Sequence, residues 1–272
     1  MHKPAEADAG ASEKEVIVMK ERLKILDIWV DPVTRDEAIG RVRDFLKYGS
    51  RPNSVFASNP EKNFSVPKDA ELYEVFRDAD LLIPDGIGIV LAARILHRAI
   101  LERVPGSEFI FDICSLAEKE GYRIFFYGAS EDVNKKSAEI LGERYPHLLI
   151  AGRAHGYVGK AEMPQLIRRI NESRAEILFV ALGSPKQEKW FAEHKASLEH
   201  VRVVQGIGGT LDTIGGTVKR APTIWRKYWA EWLYRLLSEP WRIKRQKWLP
   251  LFALMVLSAK ISYISGRGGK AV

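Results

Sequence analysis

The stretch EILFVALGSPKQEKW, residues 176–190, holds an unbroken apolar run, a glycine, a Ser-Pro step and then a polar, helix-forming segment. A short apolar run containing β-branched and aromatic residues and closed by turn residues reads as a strand buried on both faces. Ser184 before Pro185 reads as a helix cap followed by proline in the first turn. The same order of strand, small-residue loop and helix recurs outward from this segment. SVFAS near 54, LLIPDG at 81, RIFFYGA at 123, LLIAGR at 148 and VRVVQGIGG at 201 are the other strand candidates. Between them lies enough chain for crossover helices, and two helix starts are marked by capping signals. Thr34 and Glu37 form a T-x-x-E box opening a helix to about Lys47, and Ser130 opens one to about Arg144.

This alternation predicts an α/β domain with a mainly parallel, Rossmann-like sheet flanked by helices. The chain of 272 residues divides into a disordered tail at 1–20, the α/β domain at 21–218 and a basic aromatic helical appendage at 219–272. Charge draws the last boundary. Residues 219–272 carry 12 Lys and Arg against Glu231 and Glu239, a net of +10, whereas residues 1–218 sum to −3. Five of the seven tryptophans lie in the same appendage. Trp225, Trp229, Trp232 and Leu236 fall on one helical stripe, which buries itself on a lipid surface, on the protein's own body or, less naturally, on nucleic acid. Bases interleaved with Trp and Tyr favour the anionic, oily headgroup region of a membrane. The apolar run Trp248 to Leu257 is about ten residues, half of what a spanning helix needs, and fits an interfacial helix instead. The polar opening MHKPAEADAGASEKE lacks the apolar core of a secretory signal, and the single Cys114 excludes an internal disulfide. The expected location is therefore the cytoplasm, peripheral on the inner face of the membrane. A homo-oligomer that buries the aromatic tail between subunits stays open.

In such sheets the ligand sits beyond the carboxyl ends of the strands. The loops there read SNPEKN (58–63), PDGIG (84–88), YGAS (127–130), LGSPKQEKW (182–190) and QGIGGTLD (205–212), and should line one cleft. Their glycines and small polar residues suit backbone contacts with a phosphorylated ligand, a nucleotide above all. Asp85 is the most pointed residue, either a general base or the N-cap of the helix that follows. Lys186 and Gln187 either reach a bound phosphate or sugar, or form a solvated helix face. Arg103 either neutralises a diphosphate or pairs with Glu102 or Glu108. Asp212 either binds a ribose or base, or ends a strand. His155, in GRAHGYVG, is the one histidine in a probable cleft loop and reads as a solvated loop residue.

Several chemistries are disfavoured. Asp78 and Asp80 form a D-x-D, but it precedes a strand and so belongs at the wrong end of the sheet for a metal site. Neither GIG at 86 nor GIGG at 206 completes G-x-G-x-x-G, which argues against a nicotinamide enzyme, and no metal or other cofactor is expected. No G-x-S-x-G or P-loop lysine pattern is present.

Taken together, N-P-E-K after the first strand, DGIG, ERVPGSEF, ALGSPKQEKW, GIGGTLD with VKRAP, and EWLYRLLSEPWRIKRQ resemble the WecG/TagA/CpsF family of bacterial glycosyltransferases, in order and spacing, from about Leu23 to Trp248. The resemblance implies inverting, metal-independent transfer of a sugar from a UDP-sugar donor to a polyprenyl-diphosphate-linked acceptor at the cytoplasmic membrane face. Such products feed cell-surface polysaccharides. It implies Asp85 as base, Asn59 as a cleft asparagine, and Arg103, Gln187 and Asp212 at the donor and active site; Gly86, Ser184, Lys186, Gly208 and Gly209 of the same loops are further candidate substrate contacts. Arg235, Arg242 and Arg245 match arginines of a C-terminal element resembling a lid and membrane dock. The chain departs at Ala57, where the family often has threonine. A non-catalytic nucleotide-binding membrane adaptor is the alternative reading.

Overall fold

The computed structural model describes residues 21–216 and 248–265. The expected tail at 1–20, the tryptophan stripe and Arg235, Arg242 and Arg245 all lie outside the described residues. The chain opens with an antiparallel hairpin, β1 (Leu23–Ile25) and β2 (Ile28–Val30). Two strands of three residues give no periodic signal, and the sequence reading has none here. Helix α1 (Arg35–Tyr48) follows, and its capping box is complete. The Thr34 hydroxyl accepts from Glu37 N, and the Glu37 carboxylate accepts from Thr34 N.

Then come β3 (Asn53–Ser58), α2 (Lys62–Ser65), α3 (Ala70–Arg77), β4 (Leu81–Pro84), α4 (Ile87–His97), α5 (Gly106–Glu120), β5 (Arg123–Gly128), α6 (Glu131–Arg144) and β6 (Leu149–Ala154). After these run α7 (Met163–Glu172), β7 (Ile177–Ala181), α8 (Lys186–His194), β8 (Val203–Gly206) and α9 (Thr210–Ile214), and the described chain closes with α10 (Trp248–Ile264). Strands β3 to β8 form one sheet in the order β4-β3-β8-β7-β5-β6, every pair parallel. All six strands are those the apolar runs predicted.

Every strand but the edge strand β6 is largely buried on both faces because helices cover both. Phe56, Leu82, Phe125, Tyr127, Leu178 and Val204 point into a core shared with α3, α4, α7 and α8. Their alternating neighbours Val55, Leu81, Ile83, Phe126, Phe179 and Val203 enter a second core with α1, α5, α6 and α9. Cys114 of α5 lies fully inside that second core. Burial pushes its thiol well above the ordinary range, which suppresses the reactive thiolate. Native protein should therefore stay unlabelled by an aromatic disulfide reagent and take up one equivalent only in denaturant. Rapid labelling at neutral pH would contradict this packing.

Helix α10 packs across α4. Phe252 and Val256 are both 3% exposed and join the first core, while Trp248 stacks on Phe64 with ring centroids 4.5 Å apart. Its outer face is also apolar, with Leu254 and Ile261 exposed at 63% and 66%. Among the described residues no helix is long and apolar enough to cross a membrane.

Candidate functional site

The carboxyl ends of β4, β3, β8 and β7 open into one cavity of about 960 Å³. One wall is polar and comes from the strand-end loops: Asn59, Asp85, Gly86, Arg103, Ser184, Gln187, Gly208 and Gly209 all line it. A second, apolar wall comes from two helices, Leu91 and Ile95 of α4 with Leu249, Phe252, Val256 and Leu257 of α10. It runs on into the exposed outer face of α10.

Backbone hydrogen bonds hold the polar wall in place. Asp85 N donates to Ser58 O at 2.9 Å, and Val104 N donates to Pro84 O at 2.8 Å. The second bond lays residues 103–105 along the end of β4 and brings Arg103 to the cavity. Gly86 rather than Asp85 sits at the N-cap of α4, with φ +86°, a left-handed conformation that a glycine takes without strain. Asp85 thus stands one residue before the cap position. Among the described residues Arg103 forms no ion pair, and Arg35 contacts both neighbouring acids. Its backbone N donates to Glu102 at 3.3 Å, and its guanidinium lies 3.9 Å from Glu108.

Other expectations need correction. Ser184 does not cap α8; Pro185 holds the cap position after a cis peptide, and the Ser184 hydroxyl accepts from Lys62 Nζ. Gly208 N–H is taken by Gln187 Oε1 at 2.9 Å, so that amide is already occupied. Lys186 is exposed and does not line the cavity. Asp212 lies in the first turn of α9, neither ending a strand nor lining the cavity. The YGAS loop also stays outside, because β5 sits beyond β7 in the sheet order. His155 lines a separate hollow of about 350 Å³ beside the edge strand β6, where its Nδ1 accepts from Tyr157 N at 3.2 Å. Asp78 and Asp80 are at the amino end of β4, as expected. Asp80 pairs with Arg51 at 2.5 Å and caps the Ser54 amide at 2.8 Å.

The model of the family described as "Glycosyl transferase WecG/TagA/CpsF family" matches residues 23–265, the span that contains the whole sheet and α10. The chain belongs to the WecG/TagA/CpsF family. A Bacillus subtilis (strain 168) relative named N-acetylglucosaminyldiphosphoundecaprenol N-acetyl-beta-D-mannosaminyltransferase is 36% identical over 199 residues, 73% of this chain and 77% of its own. A Staphylococcus aureus (strain MRSA252) protein of the same name is 32% identical over 241 residues, 88% of this chain and 93% of its own. Membership makes the protein an enzyme of a hexosyltransferase family.

In this WecG/TagA/CpsF enzyme two cavity residues escape the sequence reading. Lys62 and Glu188 are 5% and 1% exposed, and Lys62 Nζ lies 2.7 Å from Glu188 Oε1. KQEK reads as a solvated helix face, yet Gln187 shares a stripe with Trp190 and Phe191 at i, i+3 and i+4, and Glu188 lies three residues before Phe191. All four of those residues are buried. The aromatic pair was the signal that this face turns inward. On the outer side of α8, Lys189 Nζ pairs with Asp69 Oδ2 at 2.7 Å, and that hydrogen bond holds the Asp69 carboxyl below its usual range. The pair is partly exposed at the surface and contributes little to stability.

Proposed function

We propose that this enzyme is an inverting, metal-independent glycosyltransferase that moves a sugar, of the N-acetylmannosamine type or glucose, from a UDP-sugar to a polyprenyl-diphosphate-linked sugar. The observation that carries the reading is the division of the cavity into one polar and one apolar wall. A soluble nucleotide sugar has no use for Leu91, Ile95, Phe252 and Leu257, whereas an acceptor that is sugar at one end and isoprenoid at the other fits both walls at once. The acceptors in the names of the two relatives have that character.

In this reading the acceptor hydroxyl meets Asp85, which takes its proton as the oxygen attacks the anomeric carbon from the face opposite UDP. The bond from that carbon to the UDP oxygen breaks, its electron pair leaves with UDP, and the transition state has oxocarbenium character. Arg103 meets the charge growing on the diphosphate. Arg235, Arg242 and Arg245 join it from the appendage. The exposed outer face of α10 and the basic appendage serve a peripheral position on the inner leaflet, where the acceptor is found.

The test is release of UDP from a panel of UDP-sugars, with a short-chain polyprenyl-diphosphate-sugar acceptor, in EDTA and without it. Acceptor-dependent release that survives EDTA is expected. Tight UDP binding with no release from any donor would favour the adaptor reading instead. Release only with a divalent cation would remove the metal-independent step.

A further inference from the structure

The first turn of α8 joins three cavity loops. From it Gln187 reaches one way, accepting from Gly208 N in the β8–α9 loop. Gly206 leaves the room for this, since a Cβ there would lie 2.6 Å from Gln187 Nε2. Glu188 reaches the other way, to Lys62 in the loop and helix that follow β3. Lys62 Nζ also donates to the Ser184 hydroxyl and lies 4.8 Å from the centre of the Phe76 ring. Lys62 is only three residues after Asn59, whose buried Oδ1 has no hydrogen-bond partner among the described residues.

Stability is a poor reason for such a contact. Taking two charges out of water costs about as much as their attraction returns, and apolar pairs of similar volume commonly replace buried ion pairs without loss. The second Glu188 oxygen, Oε2, is buried with no hydrogen-bond partner among the described residues, a further cost. What the contact delivers is geometry: it fixes the loop carrying Asn59 relative to the loop carrying Ser184 and Gln187, across the polar end of the cavity.

We propose that the Lys62–Glu188 pair is a positioning device for sugar transfer. It sets the width of the polar wall so that the donor's sugar and diphosphate lie in line with the acceptor hydroxyl. The proposal rests on the glycosyltransferase reading above. It differs from a structural role in what it predicts for an apolar substitute, which fills the same space without holding the loops in one register.

The experiment compares wild type with the double variant Lys62→Met/Glu188→Met in thermal unfolding, UDP binding and steady-state transfer. The double variant should unfold cooperatively near the wild-type midpoint and bind UDP. Its kcat should fall about 10-fold to 100-fold, the size of loss that a small misplacement of reacting groups produces, with the donor KM moved far less. Lys62→Arg, which keeps a cation beside Glu188, should retain more kcat than Lys62→Met. Wild-type kcat in the folded double variant would overturn the proposal. Should the double variant fail to fold, Glu188→Gln preserves the shape, and unchanged kcat in that folded variant would equally overturn it. If the wild type transfers no sugar from any donor, the glycosyltransferase reading falls and this role falls with it.

Discussion

Asp85→Asn should lower kcat on the order of 10²-fold to 10⁴-fold while leaving UDP binding and thermal unfolding close to wild type. Gly86, not Asp85, holds the cap position of α4. The backbone N–H of Asp85 stays bonded to Ser58 O at 2.9 Å whatever the side chain is. An amide has nearly the shape of a carboxylate but cannot accept the acceptor's proton. The loss should therefore appear in kcat, with little change in the donor KM. Burst and steady-state measurements with saturating acceptor would separate the chemical step from product release. Turnover near the wild-type rate would remove Asp85 from the mechanism and return attention to the other polar groups of the wall.

Arg103→Ala should cost about 10²-fold to 10³-fold in kcat/KM, the scale seen when one preorganised donor is removed from a developing anion. The case rests on where the charge is placed. Among the described residues no ion pair engages Arg103, whereas Arg35 contacts Glu108 at 3.9 Å and forms a two-bond contact with Asp112 at 2.7 and 2.9 Å. A cation left at a cavity wall is available to an anionic ligand. Lys in its place should recover part of the activity, since it keeps the charge but loses the planar fork that suits a diphosphate. Product inhibition by UDP should weaken in the same order. Unchanged kcat/KM in the alanine variant would assign the diphosphate to other residues, with the appendage arginines first in line.

The architecture was legible because the sheet is buried on both faces, which leaves runs such as ILFVA and RIFFYG almost free of polar interruption. Helix starts were legible where a side chain does the capping, at Thr34 and Ser130, and the cap was misread at α8, where Pro185 rather than Ser184 holds the position. Strand order carries no local signature. The YGAS loop was therefore assigned to the cleft on equal terms with the others, although β5 lies one strand too far along the sheet. Lys62 was missed for a related reason: a lysine in a polar loop looks solvated until the chain brings Glu188 to it from 126 residues away. Asp85, Asn59 and Gln187 were found because their loops follow strands in the contiguous run β4-β3-β8-β7.

The seat of α10 on α4 has a consequence for handling the enzyme in the cold. What that helix buries there is apolar, Phe252 and Val256 beside Ile89 and Ala92, with Trp248 against Phe64. Apolar burial loses strength on cooling, so the apolar wall is held least firmly near freezing, while the sheet keeps the reserve of two large cores. A preparation stored and assayed on ice would thus show a wider cavity and weaker acceptor binding than the same sample brought to moderate warmth.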